Sequence, residues 1–474
     1  MFSKEERIMC PWEFHDKPRD ECGVLGIYAP GNNVSLKTYY GLNALQHRGE
    51  ESAGIAVSDG KQIKVHKKMG LVTEVFNKAS LSVLKGNIAI GHVRYSTGGD
   101  SSEANAQPLL YKDDKGSVAV AHNGNITNAC QLKKRLDQTG SFGYPNLDSE
   151  IFLRFLAHYR NFSLEQLLEL FLKEISGSYS LVLMTENSLI GLRDPYGMRP
   201  LCLGKLKGME SGYILASETC ALKAAGGELV REIDPGEGVI IDKNGVNFRQ
   251  SFPGGCRRLC IFEYIYLARS DSVMDGSSVN SVRRKFGSEL AREHPVAGDL
   301  VISIPESGTA MAMGYAEECG LPFREGLLRN RYIGRTFIKP GQKNRELAVR
   351  MKFDVISDVI QGQRVVVVDD SLVRGTTSCQ IIRMLREAGA KEVHLLVASP
   401  PLSFPCYYGI DIPSAAELVA ARRTLEEIRQ YVGADSLQYL SLKGMLQVLR
   451  RPKEFCTACF DGIYPVPVVE QETG

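Results

Sequence analysis

The chain has 474 residues, 43 % hydrophobic and 24 % charged, and its 57 basic and 55 acidic residues leave a formal charge of only +2. That length exceeds one ordinary core and calls for two domains, while the balanced charge gives no electrostatic reason to expect nucleic acid or an anionic membrane as partner. No apolar run approaches the roughly 18 residues of a spanning helix. Residues 1–21 alternate charged and polar groups where a secretion signal would carry an apolar core, so the chain reads as cytoplasmic. Its twelve cysteines then read as thiols, metal ligands or a nucleophile, not as a disulfide framework.

From residue 22 to about 250 the pattern is of short strands punctuated by glycine, including Cys22 to Tyr28, Ile88 to Tyr95, Val118 to His122 and Tyr179 to Met184. Two amphipathic helices interrupt them, Ser149 to Tyr159 and Leu164 to Ile175, the second introduced by a capping box of Ser163 and Gln166. A layered α+β domain follows. Cys22 stands between an acidic residue and a strand start in DECGVLGIYAP, and it is followed by LNALQHRGEESAGIAV (42–57), GHVRYSTGG (91–99), AHNGNITN (121–128) and NLDSE (146–150).

In that order these strings resemble the glutaminase domain of the class II amidotransferases, a branch of the N-terminal nucleophile hydrolases with an αββα sandwich. Splitting a carboxamide with a thiol requires a proton carrier, an oxyanion hole and groups that hold the amino acid's charged ends. The resemblance implies Cys22 as nucleophile, with Asn123 (side-chain amide) and Gly124 (backbone N–H) facing the oxyanion. It also implies Arg94 as a bidentate clamp on the glutamine α-carboxylate and Asp148 as partner of its ammonium. Read alone, Arg94 and Asp148 are equally a surface charge and an N-cap. Residues 1–21 are expected to be a propeptide, since cleavage before Cys22 frees an α-amine whose ordinary pKa, about 7.7–8.0, suits a general base. No catalytic histidine is then needed, and His47, His92 and His122 read as structural hydrogen-bonding residues.

After Pro253-Gly254-Gly255 the pattern changes to strand, loop, helix, strand: Leu300 to Ile304, PESG and a helix ended by Gly320, then Val365 to Val368, a helix ended by Gly389, and Val393 to Ala398. This predicts an α/β domain with a mostly parallel sheet. The run VVVVDDSLVRGTTS, Val365 to Ser378, ends a strand suited to burial on both faces in two carboxylates, where ligands of parallel sheets sit. A glycine and hydroxyl-rich loop follows, with a helix expected to open at Cys379. This string resembles the phosphoribosyl diphosphate (PRPP) signature of the type I phosphoribosyltransferases. The resemblance implies that Asp369 and Asp370 meet the ribose hydroxyls, and that Ser371, Arg374, Gly375, Thr376, Thr377 and Ser378 form the 5'-phosphate loop.

The turn SIPESGTAMAMGYAEE opens a second anion site, at which Glu306, Ser307, Gly308 and Thr309 are expected to grip pyrophosphate. Similar proteins often carry aspartate where Glu306 stands. Ser307, Asp369 and Asp370 supply the oxygen environment that Mg2+ prefers. Residues 327–353, LLRNRYIGRTFIKPGQKNRELAVRMKF, are too polar and basic for core and suit a lid that excludes water from an oxocarbenium-like transition state. They resemble the mobile loop of the glutamine PRPP amidotransferases, which implies Arg331, Arg335 and Lys352 as donor contacts.

Cys456 and Cys459 form a CxxC, which alone is compatible with redox chemistry, zinc or chance; four thiolates suit a structural zinc or a [4Fe-4S] cluster, and spacing does not choose. Cys260 and Cys406 match positions that bind a [4Fe-4S] cluster together with such a pair in the Bacillus-like subgroup of the glutamine PRPP amidotransferases. The resemblance therefore favours a structural cluster. Cys10, Cys130, Cys202, Cys220, Cys256, Cys319 and Cys379 are left as ordinary thiols.

Likeness to that family across the chain implies a propeptide at 1–21, a glutaminase at 22–252, a phosphoribosyltransferase at 253–445 and a tail bearing cluster ligands at 446–474. It further implies glutamine and PRPP as substrates, ammonia channelled between two sites, purine nucleotides as feedback inhibitors and a homotetramer. A glutaminase-linked synthase making glucosamine phosphate or asparagine would lack the PRPP string. A non-enzymatic PRPP sensor would have no use for the ordered nucleophile, clamp and oxyanion residues.

Overall fold

Alternating apolar positions in the first 250 residues make strands whose two faces are both covered. The computed structural model describes residues 22–95, 102–136, 147–209, 211–250, 256–330, 352–412 and 414–467. They form two compact units. Of the described residues, the N-terminal unit takes in those from 22 to 280, 405–412 and 451–467, and the C-terminal unit those from 281 to 404 and 414–450. Residues 256–280 thus pack with the first unit, as do two later returns of the chain.

In the N-terminal unit a seven-stranded sheet runs, in spatial order, Gly227–Glu232, Cys202–Leu206, Tyr213–Ala216, Gly23–Tyr28, Ile88–Arg94, Ser52–Ser58 and Ile63–Met69. A six-stranded sheet runs Gly245–Gln250, Glu237–Asp242, Leu189–Arg193, Gly177–Met184, Gly116–Ile126 and Leu109–Asp113. Every pairing in both is antiparallel.

The period of two along the strands sorts side chains between layers. Along Gly23–Tyr28, Val24 and Tyr28 enter the core between the sheets with Ala119, Ala121, Val182 and Met184, while Leu25 and Ile27 enter a second core with Leu42 of helix Ser35–Ala44 and Leu222 of helix Thr219–Ala224. On the far side of the six-stranded sheet, Phe152 and Phe155 of helix Glu150–His158 pack with Leu168 and Phe171 of helix Leu164–Glu174. The result is the expected αββα order. The capping box is present: Ser163 Oγ accepts from the Gln166 amide at 3.3 Å and Gln166 Oε1 from the Ser163 amide at 2.8 Å.

The C-terminal unit is built on four parallel strands in the order Leu300–Ser303, Arg364–Asp369, Glu392–Val397, Ser436–Tyr439. Val365 to Val368 are all inaccessible to solvent, as a parallel strand covered on both faces requires. Helix Gly308–Cys319 ends at Gly320 in the left-handed conformation. The second crossover helix corrects one expectation. It spans Thr376–Glu387, not a stretch opening at Cys379, because Gly375 at φ +82° serves as its N-cap. Thr376, Thr377 and Ser378 are therefore its first turn, whose backbone N–H groups have no partner within the helix.

Among the described residues no helix is long and apolar enough to cross a membrane.

Candidate active sites

Cys22 immediately precedes the central strand Gly23–Tyr28 of the seven-stranded sheet. Its Sγ donates to the Tyr95 carbonyl at 3.5 Å. Burial pushes the thiol up to about 11, against the lowering effects of the Tyr95 backbone and Arg94, and Glu51 and Asp148 add to the rise. Such a thiol is protonated at neutral pH and needs a base before it can attack. That rise leaves on the order of 100-fold less thiolate at pH 8 than an ordinary thiol would have. In chains that retain the residues before Cys22, its alkylation by iodoacetamide, followed by peptide mass spectrometry, is expected to be at least about 10-fold slower than that of exposed Cys130.

Three residues that the sequence reading did not single out hold this end of the strand. Arg48 Nε donates to the Cys22 carbonyl at 3.3 Å, and the same guanidinium donates to Glu218 at 2.7 Å and to both carboxylate oxygens of Glu263 at 2.7 and 3.0 Å. All three side chains are buried. Burial pushes the Glu218 carboxyl up, but His47 and Arg48 more than offset it and hold it well below the usual carboxylate range. The only sequence signal was the position of Arg48 inside the QHRG string.

Arg94 ends the strand beside Gly23–Tyr28 and approaches Glu51, Nη1 to Oε1 at 3.4 Å. Asp148 Oδ2 accepts from the Ile126 amide at 3.1 Å and Oδ1 from the Ser149 amide at 2.7 Å, which fixes the carboxylate next to strand Gly116–Ile126. Arg94 and Asp148 are both close enough to Cys22 to act on its thiol electrostatically. Asn123 and Gly124 lie on Gly116–Ile126. The Asn123 side chain is fully buried, and neither its amide nitrogen nor its oxygen has a partner among the described residues. Leaving such a group unmatched costs about 1–3 kcal/mol. Gly124 has φ +134°, and a Cβ there would lie 2.0 Å from the Ser178 carbonyl oxygen, so only glycine fits.

Each of the three histidines makes a ring hydrogen bond through one nitrogen. His92 Nε2 donates to the His122 carbonyl at 2.9 Å, His122 Nδ1 bonds Ser149 Oγ at 2.7 Å and His47 Nε2 bonds Glu218 at 2.7 Å. Burial pushes His92 down to about 3 and lowers His122 as well, so both are neutral at neutral pH.

Four thiols of the same unit line one cavity. Cys260 and Cys456 face each other in a short parallel pairing, Leu259–Cys260 with Phe455–Cys456, and Cys459 lies in helix Ala458–Asp461. Cys406 completes the lining with Met198, Arg199, Tyr408, Ile410, Ala458 and Tyr464. Burial pushes Cys456 up to about 12 and Cys459 well above its ordinary value, and the other three thiols add to the rise at Cys459. Thiols of this kind give up protons when they bind a metal. Among the described residues no three His, Cys, Asp or Glu side chains converge closely enough to hold a single ion. The four sulfurs surround the cavity, and Arg199 puts a cation in its wall.

In the C-terminal unit Asp369 and Asp370 end the parallel strand and are almost inaccessible to solvent. Asp370 accepts from the Ser371 hydroxyl at 2.6 Å and from the Ser307 hydroxyl, which draws the PESG turn and the DD string together. Asp369 Oδ1 accepts from the Asp370 amide at 2.9 Å. Thr309 Oγ1 lies 3.1 Å from Ser303 Oγ, and Gly308 opens helix Gly308–Cys319, while Glu306 is exposed. Two helix N-termini thus stand at the carboxyl ends of adjacent parallel strands, the natural place for two phosphate groups. Arg374, expected at phosphate, bonds Glu417 at 2.8 Å. Lys352 closes the stem of the basic loop, its carbonyl accepting from the Asn330 amide at 2.9 Å between strands Leu327–Arg329 and Phe353–Val355. Arg331 and Arg335 lie outside the described residues, as do residues 1–21.

A sandwich with a strand-leading cysteine and a parallel sheet with an acidic, hydroxyl-rich ligand edge define a glutamine amidotransferase unit joined to a phosphoribosyltransferase unit. Residues 92–224 match the glutamine amidotransferase domain family and residues 282–399 the phosphoribosyl transferase domain family. The amidophosphoribosyltransferase of Mycobacterium tuberculosis is 49 % identical over 95 % of this chain and 87 % of its own, and that of Bacillus subtilis 45 % identical over 95 % of each. The solved structure of glutamine PRPP amidotransferase from B. subtilis complexed with ADP and GMP superposes with a TM-score of 0.88 at 44 % identity, covering 95 % of this chain and 98 % of that one.

The chain belongs to the amidophosphoribosyltransferase family. It is a pentosyltransferase that converts glutamine, PRPP and water to 5-phosphoribosylamine, glutamate and pyrophosphate, the first step of purine biosynthesis.

Proposed function

We propose that residues 22–252 carry the glutaminase reaction at Cys22 and residues 253–445 the phosphoribosyl transfer at the Asp369–Asp370 edge, with a propeptide before Cys22 and cluster ligands in the tail from 446. Removal of residues 1–21 frees the Cys22 α-amine, which takes the thiol proton as the sulfur attacks the glutamine carboxamide carbon. The developing oxyanion accepts hydrogen bonds from Asn123 Nδ2 and the Gly124 N–H. Arg94 holds the α-carboxylate and Asp148 the ammonium. The α-ammonium returns its proton to the departing nitrogen, ammonia leaves, and water hydrolyses the thioester to glutamate. The observation that carries this reading is the fully buried Asn123 side chain without a partner among the described residues, whose Nδ2 a substrate oxyanion would satisfy.

In the second reaction ammonia attacks C1 of PRPP and pyrophosphate leaves. Glu306, Ser307, Gly308 and Thr309 receive the pyrophosphate, Asp369 and Asp370 the ribose hydroxyls, and Ser371 with Arg374 to Ser378 the 5'-phosphate. Arg331, Arg335 and Lys352 cover the donor and exclude water. Ammonia is protonated in neutral water and would lose its nucleophilicity, so it passes between the sites through a shielded path. The oxygen-only donor set of Ser307, Asp369 and Asp370 fits Mg2+, which would neutralise charge on the diphosphate. The donor set of Cys260, Cys406, Cys456 and Cys459, spread around a cavity with a cationic wall, fits a [4Fe-4S] cluster better than zinc with its bonds of about 2.3 Å, and its role there would be structural.

The nucleotides named with the B. subtilis structure support purine nucleotides as inhibitors of this chain, and a cytoplasmic homotetramer completes the proposal. Intact mass, iron and acid-labile sulfide on anaerobically purified protein test it. The expected result is a chain beginning at Cys22 with four iron and four sulfide per subunit, in line with the cubane composition. Fully active enzyme that keeps all of residues 1–21 would sink the α-amine mechanism, and stoichiometric zinc would sink the cluster.

A further inference from the structure

Residues 405–412 return to the N-terminal unit and bound two places at once. Cys406 faces the four-thiol cavity, as does Tyr408, whose amide donates to Cys406 Sγ at 3.3 Å. The backbone of the same segment lies along the strand that carries Asn123 and Gly124. The Tyr407 carbonyl accepts from Asn125 Nδ2 at 2.9 Å, and the Tyr408 carbonyl accepts from Ser178 Oγ at 2.6 Å and from Arg199 Nη2. Arg199 is itself in the cavity wall.

The tightest point is between two glycines. Gly409 has φ +103°, and a Cβ on it would lie 3.1 Å from the carbonyl carbon of Gly124 and 3.3 Å from its Cα. On the other side Gly124 abuts the Ser178 carbonyl, 2.0 Å from where a Cβ of Gly124 would be. Gly124 is therefore clamped between the neighbouring strand and the 406–410 segment, and the direction of its peptide groups depends on both.

We propose that Cys406–Ile410 is a positioning strap of the glutaminase, in which Gly409 and the Tyr408 carbonyl fix the Gly124 peptide at the oxyanion hole. The inference rests on the reading of Asn123 and Gly124 as oxyanion donors. Its consequence is that the segment anchored at the thiol cavity also sets the rate of glutamine hydrolysis, with no group of the strap touching substrate.

The test is Gly409→Ala, with Ser178→Ala as the milder variant that removes one of the two hydrogen bonds on the Tyr408 carbonyl and Asn123→Ala as the reference. Displacing an oxyanion donor by a few tenths of an ångström to 1 Å is expected to lower kcat for glutamine about 10- to 100-fold in Gly409→Ala and several-fold in Ser178→Ala. The KM for glutamine stays within about twofold, because Arg94 and Asp148 are untouched. Ammonia-dependent phosphoribosylamine synthesis and iron content stay at wild-type values, Tm falls in Gly409→Ala because alanine is strained at φ +103°, and deuterium exchange of the peptide containing Gly124 speeds up in both variants.

If Asn123→Ala lowers kcat while both strap variants keep it, the strap has no positioning role; equal losses of glutamine- and ammonia-dependent activity in them overturn it too. If Asn123→Ala itself keeps kcat, the oxyanion reading fails and takes the inference with it. Should Gly409→Ala fail to fold, Ser178→Ala decides by the same readouts.

Discussion

Cys22→Ser is expected to reduce glutamine-dependent phosphoribosylamine synthesis by about 10³-fold or more and to leave ammonia-dependent synthesis near the wild-type rate. The substitution removes the only sulfur at the head of strand Gly23–Tyr28 and keeps a hydroxyl of similar size, so the sandwich has no reason to unfold. Serine is the poorer nucleophile because its hydroxyl is far less acidic than a thiol and its oxygen less polarisable than sulfur. The measurement is initial rate with glutamine and with ammonium chloride at pH 8, read as pyrophosphate release. Undiminished glutamine-driven synthesis would remove Cys22 from the chemistry and with it the proposed coupling of the two sites. Loss of the ammonia reaction as well would place Cys22 in folding or transfer instead.

The second large effect is expected from Asp369→Asn combined with Asp370→Asn. These carboxylates are buried at a strand end, and Asp370 binds the hydroxyls of Ser307 and Ser371, one from each proposed phosphate loop. Asparagine preserves shape and some of the hydrogen bonding but deletes two negative charges that a sugar diol and a divalent cation would use. Phosphoribosyl transfer should fall about 10²- to 10³-fold with either nitrogen source. Hydrolysis of glutamine in the absence of PRPP should continue at its own rate. Parallel glutamate and pyrophosphate assays separate the two outcomes, and ammonia-dependent synthesis at the wild-type rate would dismiss both aspartates from the transfer site.

Much of the architecture was legible because it depends on local pattern. The two-sided apolar strands gave the layers, the Ser163–Gln166 box marked its helix start, and Gly320 marked a helix end. The start of helix Thr376–Glu387 was misjudged because threonine and serine read as loop, whereas a left-handed Gly375 lets the helix begin among them.

Interactions across long separations left no such trace. Arg48 meets Glu263 across 215 residues, and neither sequence neighbourhood announces a buried ion pair. The same holds for Gly409, a glycine in a largely apolar and aromatic stretch with no signal of its own until Gly124 is found against it. The cysteines fall between these cases: the CxxC was visible, but only resemblance selected Cys260 and Cys406, which the fold then brings to the same cavity.

The pairing of Leu259–Cys260 with Phe455–Cys456 sets a schedule for biosynthesis. At ribosomal speeds of about 5–20 residues per second, the 196 residues from Cys260 to Cys456 take roughly 10–40 s to emerge. The unit begun first is consequently finished last, after the whole transferase sheet has been made. Until then only two of the cavity's four sulfurs, those of Cys260 and Cys406, have been made, so any inorganic group that needs all four must wait until the strands of the transferase sheet have been synthesised.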